Sequence, residues 1–274
     1  MEHERADDRN GAARSASRAF VAILLGVASG AWLLSARLAT PDMRLGVLTG
    51  AAMMPTRGRM GMPGPMPMGL GAFIATWTVM MVAMMVPSVV PAVRTFDTHG
   101  RTTGRASGAT ALFIAGYLLV WSAIGAVAYL VVQGLNDGLP AGSLTALRVG
   151  AGLLVVAGVY QLTPLQQACL RRCQSPRASL APSMGVSAQF YWGAVRAGLR
   201  QGVSCLGASW PLMLVLLLVG MMNLAWMGVI AGVIFVEKVV PGGHVIGKVV
   251  GWGLAGGGLI LLAAPHTLPA LGGA

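Results

Sequence analysis

The chain has 274 residues, of which 55% are hydrophobic and only 10% are charged, and its mean hydropathy is +0.72. Because soluble proteins carry about 25% charged residues, this composition excludes an ordinary soluble domain and predicts an all-α, polytopic integral membrane helix bundle. The net charge is +11, but the basic residues are dispersed between apolar runs, which argues against nucleic acid as a partner.

Apolar runs recur along the chain and are long enough to cross a bilayer, which takes roughly 20 residues per helix. They predict about seven transmembrane helices: Ala19–Ala36, Leu70–Val93, Ala109–Val132, Leu144–Leu165, Gly202–Met222, Asn223–Val240 and Val245–Ala264. We therefore expect a single transmembrane domain over 19–266, between a disordered cytoplasmic tail (1–18) and a short periplasmic tail (267–274).

Three connections between these helices are also predicted. The third span is expected to end at the turn Asn136-Asp137-Gly138, and the fifth and sixth to form a tight hairpin through Met221-Met222-Asn223. The segment Gln174–Arg200 returns the chain from the fourth span to the fifth.

Positive charge orients the helices. With the N-terminus inside, most of the 19 Lys and Arg residues fall in cytoplasmic segments, as the positive-inside rule requires. This predicts a multi-pass protein of the bacterial inner membrane, with a cytoplasmic N-terminus and a periplasmic C-terminus. The first span could instead be a signal peptide, but Ala19–Ala36 is longer than a typical signal-peptide apolar region, which favours a retained helix.

Methionines are concentrated in the second span and in the loop before it. Met80, Met81, Met84 and Met85 form two adjacent stripes at a spacing of four, beside a kink expected at Pro87. Further methionines lie in the preceding Pro/Gly-rich loop: Met60, Met62, Met66 and Met68. Thioether sulfur is a soft ligand that suits Cu(I), so all eight are candidate metal ligands. We expect Met81, Met84 and Met85 to face the bundle; the alternative is simple packing.

The three cysteines are expected at the cytoplasmic edge. Cys169 and Cys173 lie four apart, and Cys205 opens the fifth span. The flanking Arg171 and Arg172 would lower the thiol pKa and favour metal binding. We expect the three sulfur atoms to converge, although buried cysteine is also a common packing residue.

Other chemistry has little support. The four histidines form no metal-binding pair: His3, His99, His244 and His266. Glu237 is an intramembrane acid and thus a candidate for proton transfer, but its neighbour Lys238 favours a local interfacial ion pair. Neither a catalytic triad nor a phosphate-binding loop occurs, so we expect no enzymatic activity.

Several stretches together carry a resemblance to a known family. They are Trp77–Ser88 with Pro91, Tyr160–Leu165, Ala168–Pro176, Gly198–Gly207, and Gly220–Met227 followed by Glu237-Lys238. In these stretches the chain resembles the predicted metal-binding integral membrane proteins, domain of unknown function family 2182. The resemblance implies a multi-helix bacterial inner-membrane protein of undetermined role, with metal, often copper, as its ligand.

The chain departs from that family at one motif. Family members usually have a Cys-Gly-Cys-Cys cluster where this chain has Cys205-Leu-Gly-Ala208-Ser209. Because two cysteines are replaced, Cys205 could bind metal only together with Cys169 and Cys173.

These observations predict a Cu(I)-binding protein that takes part in copper transport or delivery, in contact with lipid and with a periplasmic or membrane copper protein. Two alternatives stay open. One is a structural or assembly subunit with methionines as packing, and the other is a proton-coupled transporter of an organic solute. The sequence does not specify an oligomeric state.

Overall fold

The fold is known from a computed structural model, which describes residues 21–37, 69–102, 106–138, 144–174, 188–219, 224–240 and 242–263. Within these ranges the secondary structure is helical, which confirms the all-α class. Eight helices occur there: α1 (Val21–Arg37), α2 (Leu70–Thr102), α3 (Ala106–Gly138), α4 (Leu144–Leu162), α5 (Pro164–Gln174), α6 (Ala188–Val219), α7 (Leu224–Val239) and α8 (Gly243–Ala263). The predicted tails 1–18 and 267–274 and the Met221–Asn223 hairpin lie outside the described residues.

Five of these eight helices are long and apolar enough to cross a membrane: α2, α3, α4, α6 and α8. Helix α1 is apolar but shorter, and α7 has only 16 residues. The predicted count of about seven spans is therefore not confirmed by length and composition.

Large apolar side chains cover the outside of the bundle. Leu33 is 71% exposed, Leu130 67% and Trp252 70%. Extended apolar surface of this kind is unfavourable in water and suits contact with lipid.

Glycines allow the closest helix contacts, which join α4 to α8 and α3 to α6. A Cβ atom on Gly158 would lie 2.6 Å from the carbonyl oxygen of Gly251, and one on Gly116 would lie 2.6 Å from that of Val195. Since no side chain fits in these gaps, glycine is required for the approach.

Helix boundaries differ from the prediction in three places. Helix α3 continues to Gly138, so the predicted turn there is wrong. Helix α6 begins at Ala188 instead of Gly202, because Arg196 and Arg200 interrupt the apolar run without interrupting the helix. The predicted Gln174–Arg200 connection is correspondingly shorter.

The third difference is a break between α4 and α5, within the predicted span Leu144–Leu165. The Thr163 hydroxyl donates a hydrogen bond of 2.7 Å to the Tyr160 carbonyl and accepts one of 3.4 Å from the Gln166 amide. Threonine is a favourable N-cap, and Pro164 is well placed at the first position of the next helix. The break starts α5 as a separate short helix that carries Cys169 and Cys173.

Candidate metal centre

The four methionines of α2 face the interior of the protein. Met80, Met81, Met84 and Met85 are 3%, 0%, 2% and 0% exposed, which confirms the expectation for the last three. The loop methionines Met60, Met62, Met66 and Met68 lie outside the described residues.

The backbone of α2 is supported where proline removes a hydrogen bond. Pro87 has no N–H to donate to the Ala83 carbonyl. The indole N–H of Trp32, on α1, donates to that carbonyl instead, at 3.1 Å. The Ser88 hydroxyl donates to the Met85 carbonyl at 2.9 Å. These bonds hold the segment that positions Met85.

The centre of the site is the ammonium group of Lys238, on α7. Its Nζ atom donates to the Sγ atom of Cys205 at 2.7 Å and lies 3.7 Å from the Sδ atom of Met85. Lys238 is 7% exposed and Cys205 1%. A buried ammonium is stabilised by an anionic partner, and the Cys205 sulfur, which can ionise to a thiolate, is in contact with it.

Cys173, on α5, supplies a second thiol next to Cys205. Its pKa is raised above the ordinary thiol value by a hydrogen bond with Cys205 and by burial. The Gln201 side-chain amide fixes its position by donating to the Cys173 carbonyl at 3.1 Å, with the Sγ atom at 3.6 Å. The expectation that Arg171 and Arg172 lower this pKa is wrong, because both arginines are exposed.

Cys169 lies in the same region but against a different part of α6. A Cβ atom on Gly207 would lie 2.7 Å from the Cys169 Sγ atom, so the sulfur rests on the α6 backbone. Among the described residues, no group of three or more His, Cys, Asp and Glu side chains could hold a metal ion. Cys173 and Cys205 are therefore in contact, whereas the Cys169 sulfur lies against Gly207. The convergence expected for all three sulfur atoms is found for two of them.

Helix α6 differs from the prediction at Cys205. Cys205 lies inside this helix and does not open it, because α6 begins at Ala188. Ala208 is fully buried, and the Ser209 hydroxyl donates to the Cys205 carbonyl at 2.7 Å. Neither residue adds a sulfur ligand.

The Glu237 carboxylate and the neighbouring Lys238 ammonium attract each other, but the hydrogen bonds of each residue go to other elements. Gln161 donates its side-chain amide to a Glu237 carboxylate oxygen at 2.8 Å, and Gln174 donates to the Glu237 carbonyl at 2.9 Å. Neighbouring residues on a helix point in different directions, so Glu237 and Lys238 contact different elements.

Three residues at the site are not predicted from the sequence: Tyr117, Gln201 and Lys238, the last as a contact of sulfur. The Tyr117 hydroxyl, on α3, is 3.1 Å from the Cys205 sulfur. Each residue is isolated in sequence and none is a usual metal ligand. The one sequence feature that could have pointed to the site is Lys238, a lysine near the end of an otherwise apolar helix.

The described soft donors are therefore linked by contacts: the Lys238 ammonium contacts Cys205 and Met85, and Cys173 forms a hydrogen bond with Cys205. Cu(I) prefers thiolate and thioether sulfur, and the cluster contains no carboxylate that would favour a hard cation.

Comparison with known proteins gives one match. The profile of the PpoB2 family, described as a copper chaperone, matches residues 74–261. This range contains the α2 methionines, the three cysteines and Lys238. No curated protein and no solved structure matches the chain.

Proposed function

The chain belongs to the PpoB2 family of copper chaperones, and on that premise we propose that it binds Cu(I) in the membrane through Cys173, Cys205 and Met85. The observation that carries the proposal is the contact of one buried cation, the Lys238 ammonium, with a thiol and a thioether. A cation is already stable at this position, and the surrounding atoms are soft ligands.

The charges at the site support Cu(I) in particular. Two thiolates and one Cu(I) ion carry a net charge of minus one, which is unfavourable in a low-dielectric interior. The Lys238 ammonium offsets that charge, so the loaded site is neutral. A divalent ion at the same ligands would leave an uncompensated positive charge.

We further propose a path for copper along α2 and a location for the protein in the membrane. Met80, Met81 and Met84 add buried sulfur atoms along α2 and would form a path for copper. Cys169 and the loop methionines Met60, Met62, Met66 and Met68 are further candidate ligands. We place the protein in a bacterial inner membrane with seven spans and a cytoplasmic N-terminus. Its role is to move or deliver copper to a membrane or periplasmic copper protein, without catalysing a reaction.

Copper content of the detergent-purified protein tests the proposal. Wild-type protein expressed with added copper should retain close to one equivalent of Cu(I). Cys205→Ala should lose most of it, and Met85→Leu should weaken binding by roughly tenfold, about 1.4 kcal/mol. Met-to-Leu exchange preserves volume, so the fold is retained.

Matched controls are available in the same helices. Cys169→Ala removes a cysteine outside the cluster, and Met213→Leu changes a buried methionine of α6; both should keep copper. Wild-type protein that retains no copper would overturn the proposal and favour the alternative of an assembly subunit. Equal losses in Cys169→Ala and Cys205→Ala would show that the ligand set is wrong.

A further inference from the structure

A cavity of about 420 Å³ lies next to the sulfur cluster, between α5, the end of α7 and the start of α8. Arg171, Gln174 and His244 line it and are exposed, so the cavity opens to the outside of the protein. Lys238 also lines it and is buried. The cavity therefore leads from the surface to the residue whose ammonium contacts Cys205.

The side chains that line the cavity suit the binding of an anion. Of the described residues that line it, Arg171, Lys238 and His244 carry basic side chains and none carries a carboxylate. Gln167 and Gln174 add amide donors. A volume of 420 Å³ lies within the range of small-molecule sites and is too small for a protein domain.

We infer that this cavity receives a small anionic Cu(I)–thiolate complex and passes its copper to Cys205; the inference rests on the function proposed above. Soft thiolates are the natural carriers of Cu(I), and a Cu(I) ion with two of them is an anion. The basic lining attracts the complex, and Lys238 joins the cavity to the site because it lines the cavity and its ammonium contacts the Cys205 sulfur.

The transfer is a ligand exchange without electron transfer. The bond between copper and one carrier sulfur breaks as the bond between copper and the Cys205 Sγ atom forms, and the bond to the second carrier sulfur breaks as the Cys173 Sγ atom binds. Copper stays in the +1 state. Each released carrier sulfur keeps its electron pair, and one of them takes the proton that the Cys173 thiol loses. The Lys238 ammonium moves away from the Cys205 sulfur but stays at the site, where it offsets the charge of the bound copper.

Loading rates of the full-length protein in detergent test this route. Cu(I) is supplied as its bis-glutathione complex, which is anionic, or as its acetonitrile complex, which is cationic. We expect Arg171→Gln to slow loading from the glutathione complex roughly fivefold or more and to weaken its salt dependence. Loading from the acetonitrile complex should stay at the wild-type rate, which also shows that the variant is folded.

Arg172→Gln is the matched control, because Arg172 is the neighbouring exposed arginine and does not line the cavity. It should load from both complexes at the wild-type rate. Equal slowing by the two variants, or no slowing by Arg171→Gln, would overturn the inference and leave the copper site standing. Failure of the wild-type protein to bind copper from either complex would overturn the proposed function and this inference together.

Discussion

Lys238 shows how one residue can set the charge of a membrane site. A buried ammonium costs several kcal/mol unless it is paired, and its contact with Cys205 at 2.7 Å provides the pair. In the proposed copper site the same ammonium would offset the charge of a Cu(I) bis-thiolate, so it would suit both the empty and the loaded site.

Replacing Lys238 tests this role. Lys238→Met should lower Cu(I) affinity at least roughly tenfold, about 1.4 kcal/mol, because the loaded site would keep a net negative charge in a low-dielectric interior. Competition with a Cu(I) chelator measures the effect. Lys248→Met, at an exposed lysine of α8, is the control. Tighter binding by Lys238→Met would mean that the ammonium competes with copper and does not complement it.

The sequence identifies the candidate ligands better than the residues that surround them. Spacing places Met81, Met84 and Met85 on the interior side of α2, and residue type alone marks Cys173 and Cys205. The contacts of Tyr117, Gln201 and Lys238 with the thiols join residues up to 88 positions apart, and periodicity carries no information about such distances. The choice of Cys173 over Cys169 also depends on the packing of α5 against α6.

At the scale of the helix, α2 shows how a proline is accommodated beside a site. Two prolines lie inside it, Pro87 and Pro91. The carbonyl of Ala83, which would otherwise bond the amide at position 87, receives the indole N–H of Trp32. Helix α1 thereby helps to fix the part of α2 that carries Met85.

Trp32→Phe should destabilise the protein by about 1 kcal/mol, the typical contribution of one hydrogen bond, which lowers Tm by roughly 2–4 °C for a chain of this size. Thermal unfolding in detergent measures it. Trp252→Phe, on the exposed face of α8, should leave Tm unchanged. In a Pro87→Ala background the backbone donor is restored, so Trp32→Phe should cost less. An equal cost in both backgrounds would contradict the pairing.

Helix boundaries were harder to predict than helix existence. The apolar runs predict every described helix except α5, but hydropathy places the start of α6 at Gly202. Arg196 and Arg200 lower hydropathy there, although long basic side chains can extend from a membrane helix to the interface. The start of α5 depends on the Thr163 cap, a local hydrogen bond that hydropathy does not register.

At the scale of the whole molecule, close contacts through glycine hold the bundle together. Gly116 and Gly158 lie where two helix backbones nearly touch. In lipid, where apolar side chains gain little by leaving the solvent, such backbone contact is a main source of association. Sequence shows the abundance of glycine, 39 residues, but not which of them lie at the contacts.

Gly116→Leu should therefore prevent normal packing of α3 against α6, and the yield of monodisperse protein in detergent should fall severalfold. Gly152→Leu is the control, because a Cβ atom there meets nothing within 4 Å. Size-exclusion chromatography compares the two variants. Similar profiles for both would show that the α3–α6 contact is not essential.

Topology can be tested independently of the structure. The charge distribution predicts that reporter fusions at Gly61 and Ala274 both lie in the periplasm. A cytoplasmic signal at Gly61 would reverse the predicted orientation of the methionine loop and the cysteines.

If copper binds as proposed, the break between α4 and α5 has a consequence for its release. The two thiols come from elements of very different length, the 11-residue α5 and the 32-residue α6. A displacement of α5 by a few ångströms would part Cys173 from Cys205 while the long helix stayed in place. One sulfur could then give up its bond to a recipient ligand while the other still held the ion, so handover could proceed stepwise without copper ever being free.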